Sequence, residues 1–122
     1  MKIEFFLKKY ENAKIPVRQS EGAAAYDIYS LKSGKIGAQE KSTIETGVII
    51  DKKKLEENFL RYEIFGRSGL AVKYGLKVLN NIEKSTEDTE ELIVTLENLG
   101  EKDFEYEEGF RIAQVVIFKG VE

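Results

Sequence analysis

The sequence predicts an all-β domain, and three observations predict it. Apolar residues alternate with polar ones over short runs, the period of a half-buried strand. Glycine, Asn, Ser and charged clusters separate those runs. No stretch keeps a helical apolar period for long. The first run sets Ile3, Phe5 and Leu7 against Glu4, Phe6 and Lys8. Thr46, Val48 and Ile50 follow the same period, then Tyr62, Ile64 and Gly66, then Leu92, Val94 and Leu96, and finally Val115 and Ile117. Turn signals fall at Ser20-Glu21-Gly22, Ser33-Gly34, Gly66, Gly75, Asn80-Asn81, Gly100 and Gly109. Residues 51–59 hold Asp51, Leu55 and Phe59 among lysines and glutamates, which suits one short helical turn.

Composition bounds the chemistry. At 122 residues, the chain is expected to form one domain over 1–122. It has no Cys, which excludes disulfides and thiolate zinc sites, and no His, which excludes imidazole catalysis and imidazole metal sites. Acid–base work falls to carboxylates, Lys or Tyr. The net charge of -3 argues against a partner that is a nucleic-acid polymer. No apolar run approaches the ~20 residues of a membrane span, and the N-terminus is too charged for a signal peptide, so no membrane partner and a cytoplasmic location are expected. The charge is uneven: residues 83–108 hold eleven acids and two bases. Such a block reads as a solvated face, or as a surface that repels phosphates or attracts a basic partner.

Three segments hold candidate chemistry. Gly66-Arg67-Ser68-Gly69 follows a strand-like run. Its glycines allow close backbone approach to a ligand, and Arg67 offers a planar fork suited to phosphate. The same residues also suit a plain turn with a salt-bridged Arg. Asp27 lies in the small and apolar run Ala24-Ala25-Tyr26-Asp27-Ile28, where a carboxylate is expected to pair with an Arg or with backbone N–H groups. A water-mediated metal contact is the other reading. Arg111 and Gln114 flank the final apolar strand, which suits either a site or strand-end hydrogen bonding.

In this order and spacing, the three segments resemble the trimeric dUTPase family. Gly22 to Ser30 is similar to that family's first motif, Gly66 to Leu76 to the second, and Gly109 to Gln114 to the fourth; Ile44 to Val48 resembles the strand leading into the centre of the fold. The resemblance covers essentially the whole chain. It implies a distorted jelly-roll, a threefold homotrimer, and a deoxyuridine nucleotide held between subunits with Mg2+ carried on its phosphates. It also implies roles. Ser68 and Gly69 would meet the phosphates, Arg67 and Gln114 would hold phosphates or brace the site, Asp27 and Arg111 would sit near the metal end or act structurally, and Asn80 would read the uracil edge.

Departures from the family pattern cluster after Asn80. Counting from it, Thr86 stands where the family has the water-activating Asp, and Thr89 stands where it has the Tyr that stacks on the sugar. Ile82-Glu83 replaces the Pro-Gly that shapes the hairpin, and only Asp88 stays in register. Gly66 replaces the Pro of the second motif and Phe110 the Asp of the fourth. The Gly-rich fifth motif is not found after Gln114. A Thr hydroxyl cannot take a proton from water near neutral pH. The resemblance with these departures predicts an impaired catalyst that acts by binding, either a nucleotide or a regulatory protein partner, as in phage-like relatives. Two alternatives stay open: an active dUTP diphosphatase with Asp88 as a shifted base, and a protein-interaction trimer with no ligand.

Overall fold

The computed structural model describes residues 5–18, 25–79 and 88–120. Ten strands and two short helices are defined among them. The strands are β1 (Phe6–Lys8), β2 (Val17–Arg18), β3 (Ala25–Tyr29), β4 (Gly34–Ile36), β5 (Lys41–Asp51), β6 (Leu60–Phe65), β7 (Leu76–Val78), β8 (Thr89–Asn98), β9 (Phe104–Tyr106) and β10 (Arg111–Lys119). The helices are α1 (Lys52–Glu57) and α2 (Ser68–Tyr74). One four-stranded sheet runs β1-β5-β8-β7, a second runs β2-β3-β10-β6, and β4 pairs with β9. Every pairing is antiparallel.

The long strands alternate as their sequence dictates. On β8, Leu92, Val94 and Leu96 are buried, while on β5 Ile44, Val48 and Ile50 are. They pack into one cluster with Ile28, Ile112, Ala113 and Val115 of the second sheet. Each fully buried aliphatic side chain contributes about 1.5–3 kcal/mol. The first run departs from simple alternation. Ile3 lies outside the described residues; Phe5 is buried, but Leu7 is exposed, while Phe6 leans inward and meets Tyr26 edge-on at 5.2 Å.

A wide irregularity interrupts β5. From Glu45 to Ile49 it advances four residues while β8 moves only from Ile93 to Glu91. Gly47 takes φ +70 there, and a Cβ on it would lie 2.9 Å from Leu31 Cδ1. The break in the ladder is covered by a side chain. Buried Thr46 donates its hydroxyl to the Leu92 carbonyl at 2.6 Å and accepts from the Val48 N–H at 3.2 Å. Asn98 does similar work at the far end of β8. Fully buried, it donates to the Ile36 and Lys102 carbonyls and accepts from the Gly100 N–H. Each such bond is worth about 1 kcal/mol net, and leaving the group unpaired would cost about 1–3 kcal/mol.

The helices are short and locally specified. Asp51 caps α1 by accepting from the Lys54 N–H at 3.0 Å, and Leu55 anchors it. The expected turn after Gly66 is instead α2. Only Leu70 is buried on it, so its seven residues carry no apolar period that a sequence pattern can register. Gly75 ends it in the left-handed conformation at φ +71, with its N–H bonded to the Ala71 and Leu70 carbonyls. No helix among the described residues is long and apolar enough to cross a membrane.

Tyr62 links the two sheets. Its hydroxyl donates to Glu90 Oε2 at 3.0 Å, and Lys52 Nζ approaches the same oxygen at 3.5 Å. Burial, then the Glu90 charge and hydrogen bond, push the Tyr62 phenol well above its ordinary value; burial also raises Tyr106. Above about pH 10 the unfolded chain releases these protons while the native chain keeps them, so stability falls as pH rises. Thermal melts between pH 8 and 12 are expected to show this alkaline loss, with a shallower slope for Tyr62→Phe.

Candidate functional site

The site begins with one register. On the pair β3–β10, Gln114 lies opposite Asp27 and Arg111 lies opposite Tyr29. Between Arg111 and Ala113 the register slips by one residue, which lets the consecutive residues Ile112 and Ala113 both be buried. Ile28 faces the core, so Asp27 and Tyr29 point to the other side of the sheet. On that side Asp27, only 2% exposed, accepts from Arg111 Nη1 at 3.0 Å.

Arg67 completes the group. It sits in extended backbone just before α2, and its Nη1 donates to the Arg111 carbonyl at 2.9 Å. Burial and then the neighbouring Arg111 push its pKa down, while Asp27 opposes them. An Arg this basic keeps its charge regardless. Two guanidinium groups and one carboxylate therefore share one face, with Gln114 half-buried beside them. The two guanidinium groups together outnumber the one carboxylate on this face, which leaves it a net positive charge.

A cleft of about 450 Å3 opens alongside. Gly66, Arg67, Ser68, Ala71, Gly75, Leu76, Lys77 and Leu99 line it. Ser68 and Gly69 are exposed at the start of α2. Gly75 earns its place by its φ and by the close approach of Gly100, whose N would be 3.0 Å from an added Cβ. Gly69 differs, because a Cβ there would meet nothing within 4 Å. Packing among the described residues does not require it. Tyr74, at the far end of α2, rests on Phe104 at 4.9 Å, and Phe104 meets Phe110 at 5.6 Å. Phe110 thus joins an aromatic cluster that anchors the helix.

The structure brings Asp27, Arg111, Arg67 and Gln114 together, with Ser68 lining the cleft and Gly69 next to it in α2. Asp88 lies elsewhere. Its carbonyl accepts from the Lys53 N–H at the start of β8, while the cleft residue Leu76 pairs with Asn98 at the other end of that strand. Roughly 30 Å of extended chain separates them. Thr89 is exposed opposite Asp51. Asn80 and Thr86 lie outside the described residues. Sequence reasoning missed Lys77, a polar position between Leu76 and Val78 whose only signal was its place on β7.

The donor set bears on Mg2+. Among the described residues no three carboxylates converge on one point, and Asp27 is held by Arg111. That fits a Mg2+ carried by phosphate oxygens and water, with Asp27 nearby, rather than one caged by protein.

Residues 11–122 match the family model for dUTPase. The chain belongs to the dUTPase family. It is 45% identical over 104 residues to the deoxyuridine 5'-triphosphate nucleotidohydrolase of Encephalitozoon cuniculi, covering 85% of this chain and 69% of that one. It is 40% identical over 120 residues to the protein of the same name from Wolinella succinogenes, covering 96% and 76%. Its fold matches a Staphylococcus bacteriophage 80alpha dUTPase mutant solved with dUpNHpp, at a TM-score of 0.80 and 22% identity over 96% of this chain and 90% of that one. It also matches a dUTPase mutant from phage phi11, described with a structural Mg(II) ion, at 0.80 and 20%, covering 96% and 90%. The architecture is therefore the all-β dUTPase jelly-roll.

Among the described residues nothing packs where a Cβ on Gly69 would lie, which sets up a clean test of this dUTPase-family segment. Gly69→Ala is expected to leave stability unchanged or to raise it by up to about 1 kcal/mol, as Ala suits a helix better than Gly. Urea denaturation checks this.

Proposed function

We propose that this protein takes deoxyuridine triphosphate, holding its phosphates on the Arg67–Arg111–Asp27 face and turning it over slowly. The observation that carries the first half is the arrangement of that face. A buried carboxylate pairs with Arg111, Arg67 lies beside it and adds a second positive charge, Gln114 lies opposite Asp27 on the same strand pair, and Ser68 lines the adjoining cleft with Arg67. Arg67 supplies planar donors for phosphate oxygens, Ser68 a hydroxyl, and Gln114 an amide. Mg2+, when bound, offsets phosphate charge there. The names of the relatives support the nucleotide's identity.

The residues present at the hairpin position support slow turnover. Thr86 and Thr89 stand where a base and a sugar-stacking ring are expected, and neither hydroxyl can act as a base near neutral pH. We also propose that the complete site forms between copies of the chain, in a homotrimer. The separation of Asp88 from the cleft along β8 supports this, because one copy cannot bring both ends of that strand to one ligand. A second reading, full dUTP diphosphatase activity with Asp88 as the base, is favoured by the relatives' shared name.

Pyrophosphate release from dUTP with Mg2+ separates the two. Losing a positioned base costs about 10²–10⁴-fold. The slow reading expects release at least about a hundredfold slower than by the Encephalitozoon cuniculi protein assayed alongside, and faster release by Thr86→Asp. Equal rates, abolished by Asp88→Asn, would instead establish the second reading.

A further inference from the structure

We infer that Lys14 is an additional phosphate-contacting residue of this site, placed to meet the far end of a polyphosphate chain. The inference rests on the nucleotide reading above. Its starting point is Tyr29, which shares a sheet face with Asp27 and lies directly opposite Arg111. Lys14 Nζ stands 4.8 Å from the centre of the Tyr29 ring. Its stem runs along Gly109, two residues before Arg111: a Cβ on Gly109 would lie 3.4 Å from Nζ and 3.5 Å from Cε. Lys14 thus flanks Tyr29, the residue opposite Arg111, and Arg111 in turn carries Arg67 on its carbonyl.

The charges differ in what is left for a ligand. Arg111 is committed to Asp27. Lys14 makes no salt bridge among the described residues. Glu108, the acid beside Gly109, instead accepts from Asn12 Nδ2 at 3.1 Å. The ring holds the ammonium in place through its π face without consuming its N–H donors. A cation already positioned loses less side-chain freedom when a phosphate arrives. A monophosphate on Ser68 and Gln114 engages the near end of this face, and a longer chain of phosphates is needed to reach Lys14.

The experiment is titration calorimetry of wild type, Lys14→Gln and Lys14→Arg with dUpNHpp and with dUMP, each with Mg2+. Lys14→Gln is expected to weaken dUpNHpp about tenfold, the size of one charge-assisted bond, and to leave dUMP unchanged. Lys14→Arg should restore most of the loss. If Lys14→Gln binds dUpNHpp as wild type does, or weakens both ligands equally, the assignment is overturned and the nucleotide reading survives. If wild type itself binds no dUpNHpp, both fall.

Discussion

The ion pair between Asp27 and Arg111 is the constraint on which the site depends. Asp27 is almost completely buried on a sheet face, where an unpaired carboxylate would cost several kcal/mol. Arg111 answers that charge, and in doing so it ties the start of β10 back across β3. Its carbonyl then holds Arg67 in place at the entrance to α2. A single buried charge thus sets the positions of two guanidinium groups from segments far apart in sequence. The slipped register at Ile112 makes this possible, because it buries two consecutive residues inward and leaves Arg111 facing the site.

The division of labour along the chain follows from that arrangement. Everything that organises the phosphate face comes from β3, β10 and the segment between β6 and α2. The positions where the dUTPase pattern expects a base and a stacking ring, Thr86 and Thr89, fall in sequence around the start of β8. Thr89 begins β8 opposite Asp51, whereas Asn98, opposite the cleft residue Leu76, ends it. Thr89, exposed at the start of β8, takes no part in the Asp27–Arg111 pair. Phe110 departs from the pattern in a different place. Where the family has an acid it supplies a ring, and the aromatic cluster under α2 absorbs it.

How far the sequence could be read depended on the range of each interaction. Strand β8 was legible because it buries one face with a two-residue period, and β10 through Ala113 and Val115, beyond its slipped register. Helix α1 was legible as one short helical turn because Asp51 and Leu55 lie close together in sequence. Helix α2 was not, since Leu70 alone is buried and its end depends on Tyr74 reaching Phe104 on a different strand. Leu7 broke its expected parity because the chain turns Phe6 toward Tyr26 instead. At the site, Asp27, Arg67, Arg111 and Gln114 stood out by motif, yet which Arg takes the carboxylate is decided by cross-strand register. Lys14 gave no signal, because its partner ring and its glycine seat lie on other segments.

Arg67, set by Arg111 and Asp27, is the residue proposed to hold a nucleotide's phosphates. Titration calorimetry of dUpNHpp with Mg2+ against wild type and Arg67→Lys tests that role most directly. Lysine keeps the charge but loses the planar fork. The account predicts saturable binding by wild type and about tenfold weaker binding by Arg67→Lys, a difference of about 1.4 kcal/mol. Equal affinities, or no binding by wild type, would contradict it.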